Sequence, residues 1–312
     1  MSLFALIFAL LLEQLHPLSS RKSLYGWLSG YANFFEHHFN AGEQRHGKVA
    51  WLLAVLPLLF GAVLLYWLLY RVHPLFAFAI NILVLYLTMG FRQFSHYFTD
   101  IHQALRDGEL DRARSLLAAW RGEPAHELNA EEVARVTIEQ ALLSSHRNVF
   151  GVIVWFVLFS VLGLGGAAGA LLYRLGQFLR ARWGDEEEGE LELFGNFSRK
   201  AFHLLEWLPT RLTAMTFAIV GDFEDTVYCW RTQAASWPDE EAGILLASGA
   251  GALGVRLGMP IPQGGLPFDR PELGIGDDAD ADFMQSTIGL VWRSVVFWLI
   301  LLLLLTLASL LG

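Results

Sequence analysis

The chain has 312 residues, 54% of them hydrophobic, with 23 Phe, 11 Trp and a mean hydropathy of +0.41. That is more apolar side chain than a soluble domain of this length needs for its core, so the composition reads as a polytopic membrane protein. A formal charge of −9 excludes nucleic acid as a partner, and the single cysteine, Cys229, excludes an intrachain disulfide or a thiolate metal cluster.

The expected fold is all-α, a transmembrane helical bundle with a polar helical subdomain on the cytosolic side. Five spans are expected, since a bilayer core of roughly 30 Å takes about 20 apolar residues as helix. Met1 to Leu18 is short and carries Glu13; without a basic start or a small-residue cleavage site, it reads as a retained helix. Val49 to Tyr70 has Trp51, Tyr66, Trp67 and Tyr70 near its ends, as interfacial belts do, and Pro74 reverses the chain into Leu75 to Phe91. These form a first region, 1–91. Residues 92–148 form the polar subdomain: "DGELDRARSLLAAW" is one helix, "RGEPAHEL" a break, and a second helix begins at Asn129 as N-cap with Glu132 at the third position. Along it Glu131, Arg135, Glu139 and His146 share a stripe. A solvated charged face is the preferred reading, and a polar site facing the bundle is the alternative.

A third region, 149–225, starts with a span from Val149 to Leu175, in which "GLGGAAGA" lets another helix approach closely. "GDEEEGELE" is an acidic linker, and His203 to Asp222 is an apolar helix interrupted by Glu206 and Arg211. Each charge at a bilayer centre costs about 2.5–3.5 kcal/mol, so this helix should not face lipid. The region 226–287 contains "GALGVRLGMPIPQGGLPFDRPELGIGDDADAD", read from Ala250 to Asp282 as an irregular loop, and 288–312 is the last span. Lys and Arg place the side holding Arg21, Lys22, Arg45, Lys48 and the Arg92–Arg147 segment in the cytoplasm, whereas Arg180, Arg182, Arg199 and Lys200 break simple alternation.

Other motifs carry little chemistry. "EHH" at Glu36 with His46 lacks ligand spacing on a helix, "DDADAD" lacks the glycine and terminal Glu of a calcium loop, and "GLGGAAG" has no strand before it or Lys after it. No catalytic residue and no metal ligand is assigned.

"LLLEQLHPLS", "LRDGELDRARSLLAAWRGEPAHELNAEEVARVTIEQAL", "LEWLPTRLT", "GALGVRLGMP" and "RPELGIGD" follow the order and spacing of the CobD/CbiB family, which the chain resembles over nearly its whole length. The founding members of that family are adenosylcobinamide-phosphate synthases, which join cobyric acid to an aminopropanol unit. Several motif positions depart from the synthases: "GEPA" stands for a Gly-Arg-Asp-Thr run, "LLSSHRNVFG" for a Glu-Asn-x-x-Asp-Gly element, "QFLRAR" for Asn-Thr-Leu-Asp-Ser-Met, and Phe202, His203 and Glu206 for an Asp-Asp pair and an Asn. Phe or Arg cannot replace carboxylates that hold Mg²⁺.

Glu139, Pro209, Arg211 and Asp277 keep the pattern. The "LEWLPTRL" helix is also similar to the AmpE branch, inner-membrane modulators linked to β-lactamase induction. The resemblance with its losses implies a non-catalytic AmpE-like modulator in the inner membrane, crossing it several times. The alternative is a divergent synthase, and whether the chain is an enzyme stays open. The resemblance implies ligand-binding roles for Arg211, Glu206, Glu139, Arg135 and Asp277. Arg211 would hold an anionic group or pair with Glu139. No cofactor is expected, a corrinoid or Mg-nucleotide entering only under the synthase alternative. The expected partners are the lipid bilayer, a signalling protein and a second copy of the chain, which small-residue helix faces permit.

Overall fold

A computed structural model describes residues 2–16, 22–40, 43–184 and 192–311. The acidic linker after Gly184 lies outside the described residues. In chain order the helices are α1 (Ser2–Leu15), α2 (Lys22–Phe39), α3 (Gln44–Val72), α4 (Pro74–Thr88), α5 (Phe91–Arg106), α6 (Leu110–Arg121), α7 (Ala130–Ser145), α8 (Gly151–Val161), α9 (Gly166–Leu179), α10 (Glu192–Val220), α11 (Phe223–Gln233), α12 (Glu240–Leu253) and α13 (Ala281–Leu311). Between α12 and α13 lie five short strands, β1 (Val255–Gly258), β2 (Ile261–Gln263), β3 (Leu266–Phe268), β4 (Glu272–Leu273) and β5 (Asp277–Asp278). The chain divides into two compact units, Met1–Gly90 with Phe150–Pro209, and Phe91–Val149 with Thr210–Gly312.

In the first unit α3 is 29 residues long, about 43 Å at roughly 1.5 Å per residue, long enough to cross a bilayer. His73 ends it in extended backbone and caps α4, its Nδ1 accepting from Leu75 N at 3.2 Å, while Pro74 opens α4 where no N–H is needed. The expected span from Val149 to Leu175 is corrected. The chain reverses at Leu162–Gly165, so α8 and α9 form a helical hairpin. Gly163 (φ 71°) and Gly165 (φ 85°) make the turn; a Cβ on Gly165 would lie 2.4 Å from Tyr66 Cγ of α3. The small residues do allow close approach, within the hairpin itself: a Cβ on Gly169 would lie 2.1 Å from Trp155 O. Buried Asn81 of α4 accepts from Ala167 N at 3.0 Å and so satisfies a free N–H of the first turn of α9.

In the second unit Asn129 and Glu132 form a capping box: Asn129 Oδ1 accepts from Glu132 N at 2.9 Å, and Glu132 Oε2 from Asn129 N at 2.7 Å. Gly122 ends α6 in left-handed backbone (φ 82°), the C-cap that glycine supplies. A π turn over His146–Phe150 carries α7 into α8, giving one helix of 32 residues, Ala130–Val161.

The expected irregular loop Ala250–Asp282 is also corrected, since the glycines there are turn and packing positions inside ordered structure. Its first residues finish α12. β1 then pairs antiparallel with β4 (Leu257 with Leu273) and parallel with β5 (Val255 with Asp277), while β2 and β3 form a hairpin turned by Gly264 and Gly265, both at positive φ. The fold is helical with this small β insertion. Asp280 caps α13, its Oδ1 accepting from Asp282 N and Phe283 N, so the last helix begins seven residues before Ile288.

Among the described residues three helices, Gln44–Val72, Ala130–Val161 and Ala281–Ala308, are long and apolar enough to cross a membrane, and Ser2–Leu15 and Pro74–Thr88 are shorter apolar helices. Helix α10 absorbs Pro209 in its interior. It exposes Leu204, Trp207, Met215 and Ile219 while burying Glu206, Thr210, Thr213 and Thr216.

Candidate functional site

The stripe on α7 faces inward: Arg135, Glu139 and His146 are buried, and Glu131 alone stays exposed. The preferred reading of a solvated charged face is therefore corrected, and every inward group raises the question of its partner. Glu139 finds three donors. Arg270 reaches it as a fork, Nη1 to Oε2 at 2.7 Å and Nη2 to Oε1 at 3.3 Å, and Gly258 N donates to Oε1 at 2.8 Å. Arg270 closes the circuit by donating from Nη2 to Gly258 O (2.9 Å) and from Nε to Met259 O (3.1 Å), with its guanidinium 5.6 Å from the Trp237 ring centre. Bidentate, charge-assisted geometry of this kind compensates the desolvation of both ions. The local backbone is shaped for it. Gly258 (φ 71°) has no room for a Cβ, which would lie 2.0 Å from Pro271 O, and Met259 follows at φ 61°.

Arg211 on α10 does not supply that partner. Its Nη1 donates to both oxygens of buried Glu241 at 3.2 and 3.1 Å, and its Nη2 lies 3.6 Å from Glu240. The pairing expected between Arg211 and Glu139 is thus replaced by two separate pairs, because Glu241 opens α12 beside Arg211 while Arg270 reaches α7 from the β insertion. Arg211 remains 24% exposed, so its cluster is not fully enclosed by the described residues. One turn along α10, buried His146 lies between two hydroxyls, Nδ1 3.0 Å from Thr213 Oγ1 and Nε2 3.4 Å from Thr210 Oγ1. Trp298 of α13 donates to Thr216 Oγ1 at 3.1 Å. The face of α10 that holds Thr210, Thr213 and Thr216 is therefore a polar seam between apolar helices.

The remaining expected residues are dispersed. Arg135 donates from Nη1 to Glu131 at 3.4 Å, and among the described residues its buried Nε meets no hydrogen-bond acceptor. Asp277 is exposed on β5, its N–H donating to Gly254 O at 3.2 Å. Glu206 lies in the first unit, 2% exposed, with Arg180 Nη1 4.0 Å from its Oε2.

Arg270, Trp237 and Glu241 were missed by sequence reasoning. "FDRPELG" held the signal for Arg270, a lone cation among apolar and turn residues. Among the described residues no group of three or more His, Cys, Asp or Glu is gathered as a metal site. Glu139 and Glu241 are each occupied by an arginine, so this donor set does not fit a divalent cation.

Residues 3–291 match the family model described as CobD/Cbib protein. The chain is 38% identical over 97% of its length to the cobalamin biosynthesis protein CobD of Stutzerimonas stutzeri, covering 98% of that protein. It is 36% identical to the CobD of Chromobacterium violaceum over 72% of this chain and 70% of that one. It is also 27% identical to the cobalamin biosynthesis protein CbiB of Salmonella typhimurium, over 74% and 72%. No solved structure matches.

These names overturn the expected AmpE-like modulator: the relatives reported are cobalamin biosynthesis proteins, one of them matched end to end, and none has a signalling name. The replaced acids are few against a chain that still buries Glu13, Glu139, Glu206 and Glu241. With apolar helices of spanning length, a family match over residues 3–291 and one relative matched end to end, the chain is a membrane protein and belongs to the CobD/CbiB family.

Proposed function

We propose that this protein acts in cobalamin biosynthesis as an adenosylcobinamide-phosphate synthase, forming the amide between a corrinoid carboxyl group and an aminopropanol unit. The observation that carries this reading is the 38% identity to a cobalamin biosynthesis CobD, which spans both chains almost completely. In this reading the protein is a multi-pass protein of the cytoplasmic membrane, with α5, α6 and the start of α7 on the cytosolic side.

Arg211 is the proposed anchor for an anionic substrate group. It is partly exposed, and Glu240, its more distant partner at 3.6 Å, is itself 61% exposed and readily replaced by a ligand carboxylate or phosphate. Glu241 would keep the guanidinium aimed through its two hydrogen bonds. Glu139 and Arg270 would act at one remove, holding the β insertion against α7. Glu139 and Glu241, each held by an arginine, do not fit a divalent cation.

Complementation of a bacterial strain lacking the synthase tests the proposal. Growth without supplied cobinamide is the expected result, and it should be lost with Arg211→Ala. No growth from a protein shown to be folded and membrane-inserted would sink the reading.

A further inference from the structure

On helix α2, Asn33 and Glu36 are turned inward, while His37 and His38 are exposed. Ala32 is fully buried, and beside it Asn33 and Glu36 face Arg182 of the same unit, whose Nη2 lies 2.9 Å from Asn33 Oδ1 and 3.7 Å from Glu36 Oε2. Tyr31 bonds to α3 through Ala54 O at 2.9 Å. The other side carries Trp27, Gly30, Phe34 and His38 at spacings of three, four and four, one stripe of a helix, and all four are exposed. Trp27 is 59% and Phe34 54% exposed. The rings make a ladder, Trp27 stacked on Tyr31 at 5.6 Å and Phe34 against His38 at 4.3 Å. A helix that turns Glu36 inward and leaves Trp27 and Phe34 more than half exposed has an outer solvent less polar than water.

We propose that α2 lies along the membrane surface, with the Trp27–Gly30–Phe34–His38 stripe seated in the lipid headgroup zone. The bilayer is the occupant the structure favours over a protein partner, for two reasons. The exposed apolar surface continues from α2 onto its packing neighbour α3, where Leu53, Leu56, Phe60 and Leu64 are exposed along a helix of spanning length. The stripe itself is Trp, Phe and His, side chains with an apolar body, two of them with a polar edge, and Trp in particular concentrates at the lipid–water boundary. At 18 residues α2 is about 27 Å long, and its sequence mixes Ser, Asn, Glu and His through the apolar residues, which suits a helix lying in the interface better than one crossing the core.

The single cysteine permits a direct test. In a Cys229→Ser background, Gly30→Cys and Phe60→Cys would each carry an environment-sensitive fluorophore. A side chain at Gly30 meets nothing within 4 Å, so the label leaves the packing intact. The proteins would be placed in nanodiscs of phosphatidylcholine and phosphatidylglycerol bearing nitroxides either near the glycerol backbone or at mid-chain, with iodide as the aqueous quencher.

For insertion of about 5–10 Å, the Gly30 label should be quenched at least about twofold more by the shallow nitroxide than by the deep one. The Phe60 label should show the reverse order. Stronger mid-chain quenching at Gly30 would mean that α2 crosses the bilayer and would overturn the inference. Quenching there by iodide alone, or by neither probe because another protein or copy covers the stripe, would overturn it too. The inference rests on the membrane reading of the chain. Loss of lipid quenching at both labels would overturn that reading, whereas loss at Gly30 alone would overturn only the placement of α2.

Discussion

The helices Gln44–Val72 and Ala130–Val161 are both long and apolar, yet 11% of the most apolar window is buried in the first and 67% in the second. The first presents leucines and aromatics outward and needs partners along only one edge. The second is packed round much of its circumference, and that enclosure is what allows its N-terminal half to carry Arg135, Glu139 and His146 inward. Hydropathy therefore finds a helix of spanning length without saying what surrounds it. A buried ion on such a helix is stable only where tertiary structure delivers its counter-ion.

The largest test of that contrast is to remove a counter-ion. Arg270→Ala leaves Glu139 buried and short of its main partner, and should cost about 3–5 kcal/mol, read as a lowered thermal midpoint in detergent. Glu139→Leu with Arg270→Met should recover most of it. An unchanged midpoint in the single variant would mean that the enclosed helix does not depend on its ion pair.

Arg211→Ala should cost less, about 1.5–3 kcal/mol by the same assay, because Glu241 loses charged hydrogen bonds at a site that is only partly enclosed. Its effect on complementation should exceed what that loss of stability explains, and Arg211→Lys should restore stability better than growth. Equal recovery of both would reduce Arg211 to a packing role.

Close packing on the exposed helix can be probed with two alanines. A Cβ on Gly47 would lie 2.0 Å from Phe194 O, so Gly47→Ala should destabilise by about 1–3 kcal/mol, whereas Gly61, with nothing within 4 Å, should gain up to about 1 kcal/mol from Gly61→Ala. Similar effects at both positions would show that the outer face of α3 is covered after all.

The smallest effect concerns Cys229. Burial, with Asp225 nearby, pushes its thiol up to about 11. Maleimide should leave the folded protein unlabelled near neutral pH and react on unfolding. Between the ordinary thiol range and about 11 the unfolded chain releases a proton that the folded one keeps, so this group's contribution to stability falls as pH rises. Rapid labelling of the native protein would contradict the burial.

Much of the helical architecture was legible in the sequence because its signals are local. The Asn129–Glu132 capping box, the Pro74 restart and the apolar runs each lie within one or two turns. Composition marked a membrane protein, and ordered motifs marked the family. Two features escaped for the same physical reason. The reversal at Gly163–Gly165 looks like the middle of one span, since hydropathy is unchanged across it and only contact with Tyr66 and Trp155 shows a hairpin. The β insertion has strands of two to four residues, too short for a period, and is set by pairing partners up to 22 residues apart.

The polar residues show the division most clearly. Sequence alone set Arg135, Glu139 and His146 on one stripe, because helical geometry fixes that stripe whatever surrounds it. Tertiary structure alone decided that the stripe faces inward, that Glu139 takes Arg270 from 131 residues away, and that Arg211 takes Glu241 instead. The choice of partner for a buried charge is a long-range one, made by whichever element reaches it with enough donors to replace water.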